Sequence, residues 1–142
     1  MLVTRTVEVV LPGDPGSPRR ARRELEPLRN VLNETRFGDL QLLVSELVAE
    51  AAGAFSGAPG EAISVRAKAD RGRTFVSVVG SESFPTSSTV PEPGTPGWSL
   101  YLVQRLSDDW GLRRDRDGGT VWFELSARPK PSPQSGAVRM GR

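Results

Sequence analysis

Between positions 63 and 79 the chain carries a strand pair with one apolar face. Ile63, Val65, Ala67 and Ala69 alternate with Ser64, Arg66, Lys68 and Asp70, the two-residue period of a half-buried strand. Arg71-Gly72 turns the chain, and Phe75 to Val79 returns as a second, more buried strand. A hairpin of this kind has to cover its apolar face with another layer, and the flanking sequence supplies helices.

The strongest of these follows Phe37-Gly38. Asp39 is read as its cap, and Leu40, Leu43, Val44, Leu47, Val48 and Ala51 recur at helical spacing to about Ala54. Glu46 and Glu50 lie four apart, so both carboxylates leave the same side of that helix; an exposed pair of this kind is most simply two solvated or arginine-paired groups. Upstream, Val3, Val7 and Val9 alternate as a strand that ends in Pro12-Gly13-Asp14-Pro15-Gly16. Ser17-Pro18 reads as an N-cap and first helical residue, opening a helix with the stripe Ala21, Leu25, Leu28 and Leu32 and with Pro27 as a kink or a delayed start. Its other face carries Arg19, Arg20, Arg22 and Arg23, which reads either as a solvated face or as a partner patch.

Downstream, residues 81–96 hold four prolines among serines and threonines and are read as a long lid-like loop. Trp98 to Asp108 resumes helical spacing through Leu102, Val103 and Leu106. Gly118-Gly119 then leads into a terminal strand in which Val121, Phe123 and Leu125 alternate with Trp122 and Glu124. The expected order is strand, helix, helix, strand, strand, loop, helix, strand: a two-layer α+β sandwich, a mostly antiparallel sheet with helices on one face. Its expected extent is residues 1–126, with 127–142 as a flexible basic tail.

At 142 residues the chain has room for one such domain. It has no cysteine and no histidine, so thiolate chemistry, imidazole bases and histidine phosphoacceptors are excluded, and any catalysis would run on carboxylates, hydroxyls or arginines. The sequence pI is about 9.7, yet the tail holds four of the 19 basic residues and no acid. The remaining 15 basic against 17 acidic side chains give the body a net charge of −2. A slightly acidic body lacks the basic face that phosphate-backbone binding requires. No apolar run reaches the ~18 residues that cross a bilayer, and a cytoplasmic protein is expected.

Leu43-Val44-Ser45-Glu46-Leu47-Val48-Ala49-Glu50-Ala51, Gly97-Trp98-Ser99-Leu100, Trp110-Gly111 and Gly119-Thr120-Val121-Trp122-Phe123 together resemble, in order, the histidine-kinase-like (Bergerat-type) ATPases, nearest the actinobacterial anti-sigma-factor serine kinases. The resemblance implies a sandwich in which ATP lies between helices and a lid. It also implies a dimer that holds a sigma factor inactive and phosphorylates a serine of an antagonist protein. Residue by residue, Glu46 matches the family's base. Glu50 stands where the family has a magnesium-coordinating asparagine, and Gly80 where it has the aspartate that accepts the adenine amino group. Gly97 keeps the first glycine of the lid motif, Ser99 replaces the second, and Thr120 is retained. Gly80 offers no side chain to adenine, and Ser81 is one residue off. Glu50 adds negative charge beside the phosphates and cannot donate as an amide does.

These departures lead to the expectation of a regulatory protein of the anti-sigma-factor type. It binds a sigma factor or its antagonist, with or without a homodimer, has ATP binding lost or weakened, and needs no cofactor or metal. The alternative is an active ATP-dependent serine kinase in which Glu46 is the base and Glu50 carries magnesium. Core or partly buried packing is expected for Trp110 and Trp122, while Trp98, at the lid end, is expected to fill the vacated nucleotide space or meet a partner.

Overall fold

The computed structural model describes residues 4–55, 60–85 and 97–127. Five strands form one fully antiparallel sheet: β1 (Arg5–Leu11), β2 (Ile63–Asp70), β3 (Arg73–Gly80), β4 (Asp109–Asp115) and β5 (Gly118–Ser126), in the spatial order β1-β2-β3-β5-β4. Three helices, α1 (Ser17–Glu24), α2 (Glu34–Gly53) and α3 (Trp98–Leu106), complete the α+β fold. The expected architecture is therefore the observed one. Residues 86–96 of the expected loop and 128–142 of the expected tail lie outside the described residues.

The sheet alternates as its sequence does. Val65 pairs with Val78 in register, and Val76 with Phe123; all four side chains are buried, packed with Leu40, Leu43, Val44, Leu47 and Val48 of α2 in one core. The opposite sheet face carries polar cross-strand pairs, Glu8 with Arg66 and Arg73 with Glu124, and a stacked Phe75–Trp122 pair whose ring centres are 5.7 Å apart.

Three sequence expectations are corrected. Ser17 does not cap α1: its hydroxyl donates to the Pro12 carbonyl at 2.5 Å, and Asp14 accepts the Gly16 N–H at 2.9 Å instead. The helix stops at Glu24 and continues as a 3-10 turn over Glu26–Val31, because Pro27 has no N–H to donate and blocks an α continuation. The stripe still buries, with Ala21, Leu25, Leu28 and Leu32 all in the core.

The long helix starts at Glu34 rather than after Asp39. Asn33 is its cap, its side chain accepting the Arg36 N–H at 2.8 Å. Asp39 accepts from the Arg36 guanidinium at 3.0 Å instead. Arg36 is buried, donating also to Asp108 at 2.6 Å and to the carbonyls of Leu106 at 2.9 Å and Ser126 at 3.2 Å. One side chain thus ties the start of α2 to the ends of α3 and β5.

The sequence reading also lacked β4. Its residues Arg113, Arg114 and Asp115 are exposed and show no apolar alternation. The strand exists because it pairs along β5, Trp110 opposite Phe123 and Leu112 opposite Val121.

Candidate functional site

Three of the six sequence-predicted positions meet where the last turns of α2 face the start of α3. Gly97 has φ 95°, a left-handed conformation that favours glycine, and its carbonyl accepts the Tyr101 N–H at 3.1 Å to open the helix. Neither an acid in the first turn nor a local cap is present. Glu50 supplies both from α2: its Oε1 accepts the Ser99 hydroxyl at 2.6 Å and the Gly97 N–H at 3.3 Å. Ser99 is 3% exposed and Glu50 half-buried. A carboxylate held against a helix N-terminus gains from the helix dipole, and a hydrogen bond to a charged acceptor contributes about 1.5–3 kcal/mol.

Glu46 lies one turn earlier on the same helix, half-buried, and among the described residues its carboxylate has no hydrogen-bond or ion-pair partner. Glu46 and Glu50 are therefore not equivalent: one is engaged at α3 and the other is not.

Gly80 closes β3 opposite Gly119, and its neighbour in space is Phe84. A Cβ placed on Gly80 would lie 2.9 Å from Phe84 Cδ2 and 3.0 Å from its Cβ; one on Gly119 would lie 1.5 Å from the Phe84 carbonyl oxygen. Phe84 is fully buried. Residues 81–85 are thus a turn pressed onto the ends of β3 and β5, with the Phe84 N–H and the Gly119 N–H both donating to the Ser81 carbonyl at 3.0 Å. Arg114 of β4 closes it from outside, donating to the carbonyls of Glu82 at 3.0 Å, Phe84 at 3.1 Å and Pro85. The Ser81 hydroxyl donates to the Ala54 carbonyl at 3.2 Å, tying the turn to the end of α2.

Thr120 pairs with Val79 and is half-buried, while its neighbours Gly119 and Val121 are buried with the core. Strand alternation therefore puts Thr120 on the face it shares with Trp122, opposite the one that Gly80 and Gly119 turn to the helices. The structure does not bring it to Glu50 and Ser99. Trp98 is half-buried and stacks on Tyr101 at 5.2 Å; the aromatic ring that packs at Gly80 is Phe84 instead.

Phe84, Arg114 and Arg36 were not singled out from the sequence. For Phe84 there was a signal: it is the one aromatic residue in the 81–96 stretch, between Gly80 and the Gly118-Gly119 pair. Glycines that leave room for a crossing segment imply something to fill it. Among the described residues, no group of three or more acidic side chains is gathered to hold a metal ion. No helix there is long and apolar enough to cross a membrane.

No protein-family model and no curated protein matches the chain. Among solved structures it is similar to the RsbU and RsbW domains of Rv1364c from Mycobacterium tuberculosis, with a TM-score of 0.66 and 16% sequence identity over 86% of this chain. It spans about a third of that longer chain, 32%. At that identity the likeness is one of fold, which in this chain is a five-stranded antiparallel sheet with its helices on one side.

Proposed function

We propose that this protein is a regulator of the anti-sigma-factor type that works by holding a protein partner, a sigma factor or its antagonist, with ATP binding lost or weakened. The observation that carries the reading is the Glu50–Ser99 hydrogen bond of 2.6 Å. In the family that the sequence resembles, a magnesium ligand and the phosphate-facing lid end occupy these two positions. Here they are joined to each other, with a carboxylate at the helix N-terminus where a phosphate would otherwise be favoured. Phe84 packed against Gly80 supports the same reading, since it takes the space into which an adenine-binding aspartate would project. These residues do not fit a magnesium nucleotide. The likeness in fold to the structure of RsbU and RsbW domains supports the anti-sigma-type assignment.

A second reading, an active serine kinase with Glu46 as base, draws on the half-buried Glu46 having no partner among the described residues. Titration calorimetry of the folded protein with ATP and ADP, with and without magnesium, separates the two. The regulator reading expects no heat of binding up to millimolar nucleotide; magnesium-dependent micromolar binding would establish the kinase reading instead. The dimer of the resembled family is part of the proposal, and sedimentation equilibrium tests it directly.

A further inference from the structure

The open face of the sheet, opposite the helices, carries an aromatic ledge. Phe75 of β3 and Trp122 of β5 stack there with ring centres 5.7 Å apart, and Phe75 is 42% exposed. A solvated sheet face is served by polar residues, and this pair adds nothing to the core, which lies on the other side. The indole lies across the backbone of Gly111 in β4, where an added Cβ would come 2.5 Å from Trp122 Nε1. Among the described residues the indole N–H has no hydrogen-bond acceptor. The ledge thus offers two ring surfaces and a donor. Beside it, Glu124 is in register with Phe75 on one side and with Asp109 on the other, so two carboxylates stand in the same cross-strand row.

Where the chain goes next constrains what can lie on this ledge. β5 ends at Ser126, and the Ala127 N–H donates to the Gly72 carbonyl at 2.6 Å, which fixes the exit of the chain beside the β2–β3 turn. The sequence continues Arg128-Pro129-Lys130-Pro131-Ser132-Pro133, and residues 127–142 hold four basic side chains and no acid against a net charge of −2 for residues 1–126. Prolines at alternate positions favour an extended backbone whose carbonyls have no internal partner, the form that aromatic-lined surfaces bind. The reach also matches. Phe75 stands level with Glu124, and Trp122 lies further along β5, so the two rings are about 10 and 17 Å from Ala127 at about 3.4 Å per residue. Residues 128–133 in extended form cover about 19 Å at about 3.1 Å per residue.

We propose that the Phe75–Trp122 ledge is the docking surface of the chain's own proline-rich segment, residues 128–133, turned back over the sheet. A carbonyl of the segment accepts the Trp122 indole N–H, and its cations lie beside Glu124 and Asp109. The tether to β5 sets an effective concentration in roughly the millimolar range, so the contact forms without high intrinsic affinity. The inference goes beyond the regulator reading and does not rest on it.

NMR of the full chain tests this through the Trp122 indole N–H. That proton is expected to exchange with water at least tenfold more slowly in the unaltered chain than in Pro129→Ser/Pro131→Ser/Pro133→Ser. Its shift is expected to differ between the two, together with the Phe75 and Ser77 amides, while the Trp98 and Trp110 indoles stay unchanged. These substitutions leave every residue of the sheet and helices in place, so folding is not at stake. Because the chain has no cysteine, Ser132→Cys takes a single nitroxide label. The label is expected to broaden the Trp122 indole signal at least threefold more with the three prolines present than with all three replaced, at the same tether length. Identical exchange and shifts in the two chains, or equal broadening, would overturn the proposal. So would effects that grow over a tenfold range of protein concentration, since these would give the ledge to a second copy. Nucleotide titration reads the other side of the sheet, so the failure of this contact and the failure of the regulator reading are told apart.

Discussion

Glu50, near the end of α2, accepts a 2.6 Å hydrogen bond from the hydroxyl of Ser99 in the first turn of α3. Two residues 49 positions apart thereby make one helix the cap of another. The position that family resemblance assigns to a metal ligand has a structural duty in this chain.

That duty is measurable. Glu50→Ala leaves the Ser99 hydroxyl, 3% exposed, without its acceptor and is expected to destabilise the protein by about 1–3 kcal/mol. Thermal unfolding should show a fall of roughly 3–4 °C for each kcal/mol in a domain of this size. The double variant Glu50→Ala/Ser99→Ala is expected to cost about 1 kcal/mol less than the sum of the single changes. Strict additivity would mean that the two side chains are not coupled.

Restoring the family's nucleotide residues is expected to fail. Gly80→Asp places a Cβ 2.9 Å from Phe84, and overpacking of this kind destabilises by about 1–3 kcal/mol. The combined change Glu50→Asn, Gly80→Asp and Ser99→Gly is accordingly predicted to give no ATP binding by calorimetry while Phe84 is in place. Recovery of micromolar affinity in that triple variant would show that Phe84 yields readily.

Two glycines should respond in opposite directions. Gly119→Ala drives a Cβ to 1.5 Å from the Phe84 carbonyl, so backbone has to move and soluble folded protein is expected to be lost. Gly38, inside α2, has nothing within 4 Å of an added Cβ, and Gly38→Ala should stabilise by about 0.5–1 kcal/mol through helix propensity alone. Urea denaturation of Gly38→Ala, beside the yield of soluble Gly119→Ala, checks the pair.

Arg36 is the charge whose removal should matter most. Arg36→Met removes the guanidinium that donates to Asp108, 12% exposed in its side chain, and to the Leu106 and Ser126 carbonyls. Breaking a buried pair from one side costs about 3–5 kcal/mol. A loss below 1 kcal/mol in denaturant unfolding would mean that Arg36 only decorates the junction of α2, α3 and β5.

Periodicity sufficed for the elements that bury a regular face. The β2–β3 hairpin, the terminal strand β5, the body of α2 and hence the α+β class follow from apolar spacing, because burial of one face is a property that each segment carries locally. What the sequence could not show is where tertiary partners replace local signals. Gly38 resembles a helix stop, yet α2 runs through it, since Asn33 caps earlier and Arg36 anchors the first turns. β4 has no pattern of its own and is a strand only because β5 offers it a ladder.

The same division runs through the candidate site. Glu46, Glu50, Gly80, Gly97, Ser99 and Thr120 are singled out by the family resemblance of their order along the chain, but that order says nothing of their relations in space. That Glu50 reaches Ser99, that Phe84 settles on Gly80, and that strand alternation turns Thr120 to the other face are consequences of helix packing and strand register. Those are set by contacts between residues far apart in sequence, and a one-residue step in a strand is enough to move a side chain to the opposite face. The sequence by itself determined which chemistries were available and which faces would be buried; the tertiary structure decided which of the available groups meet.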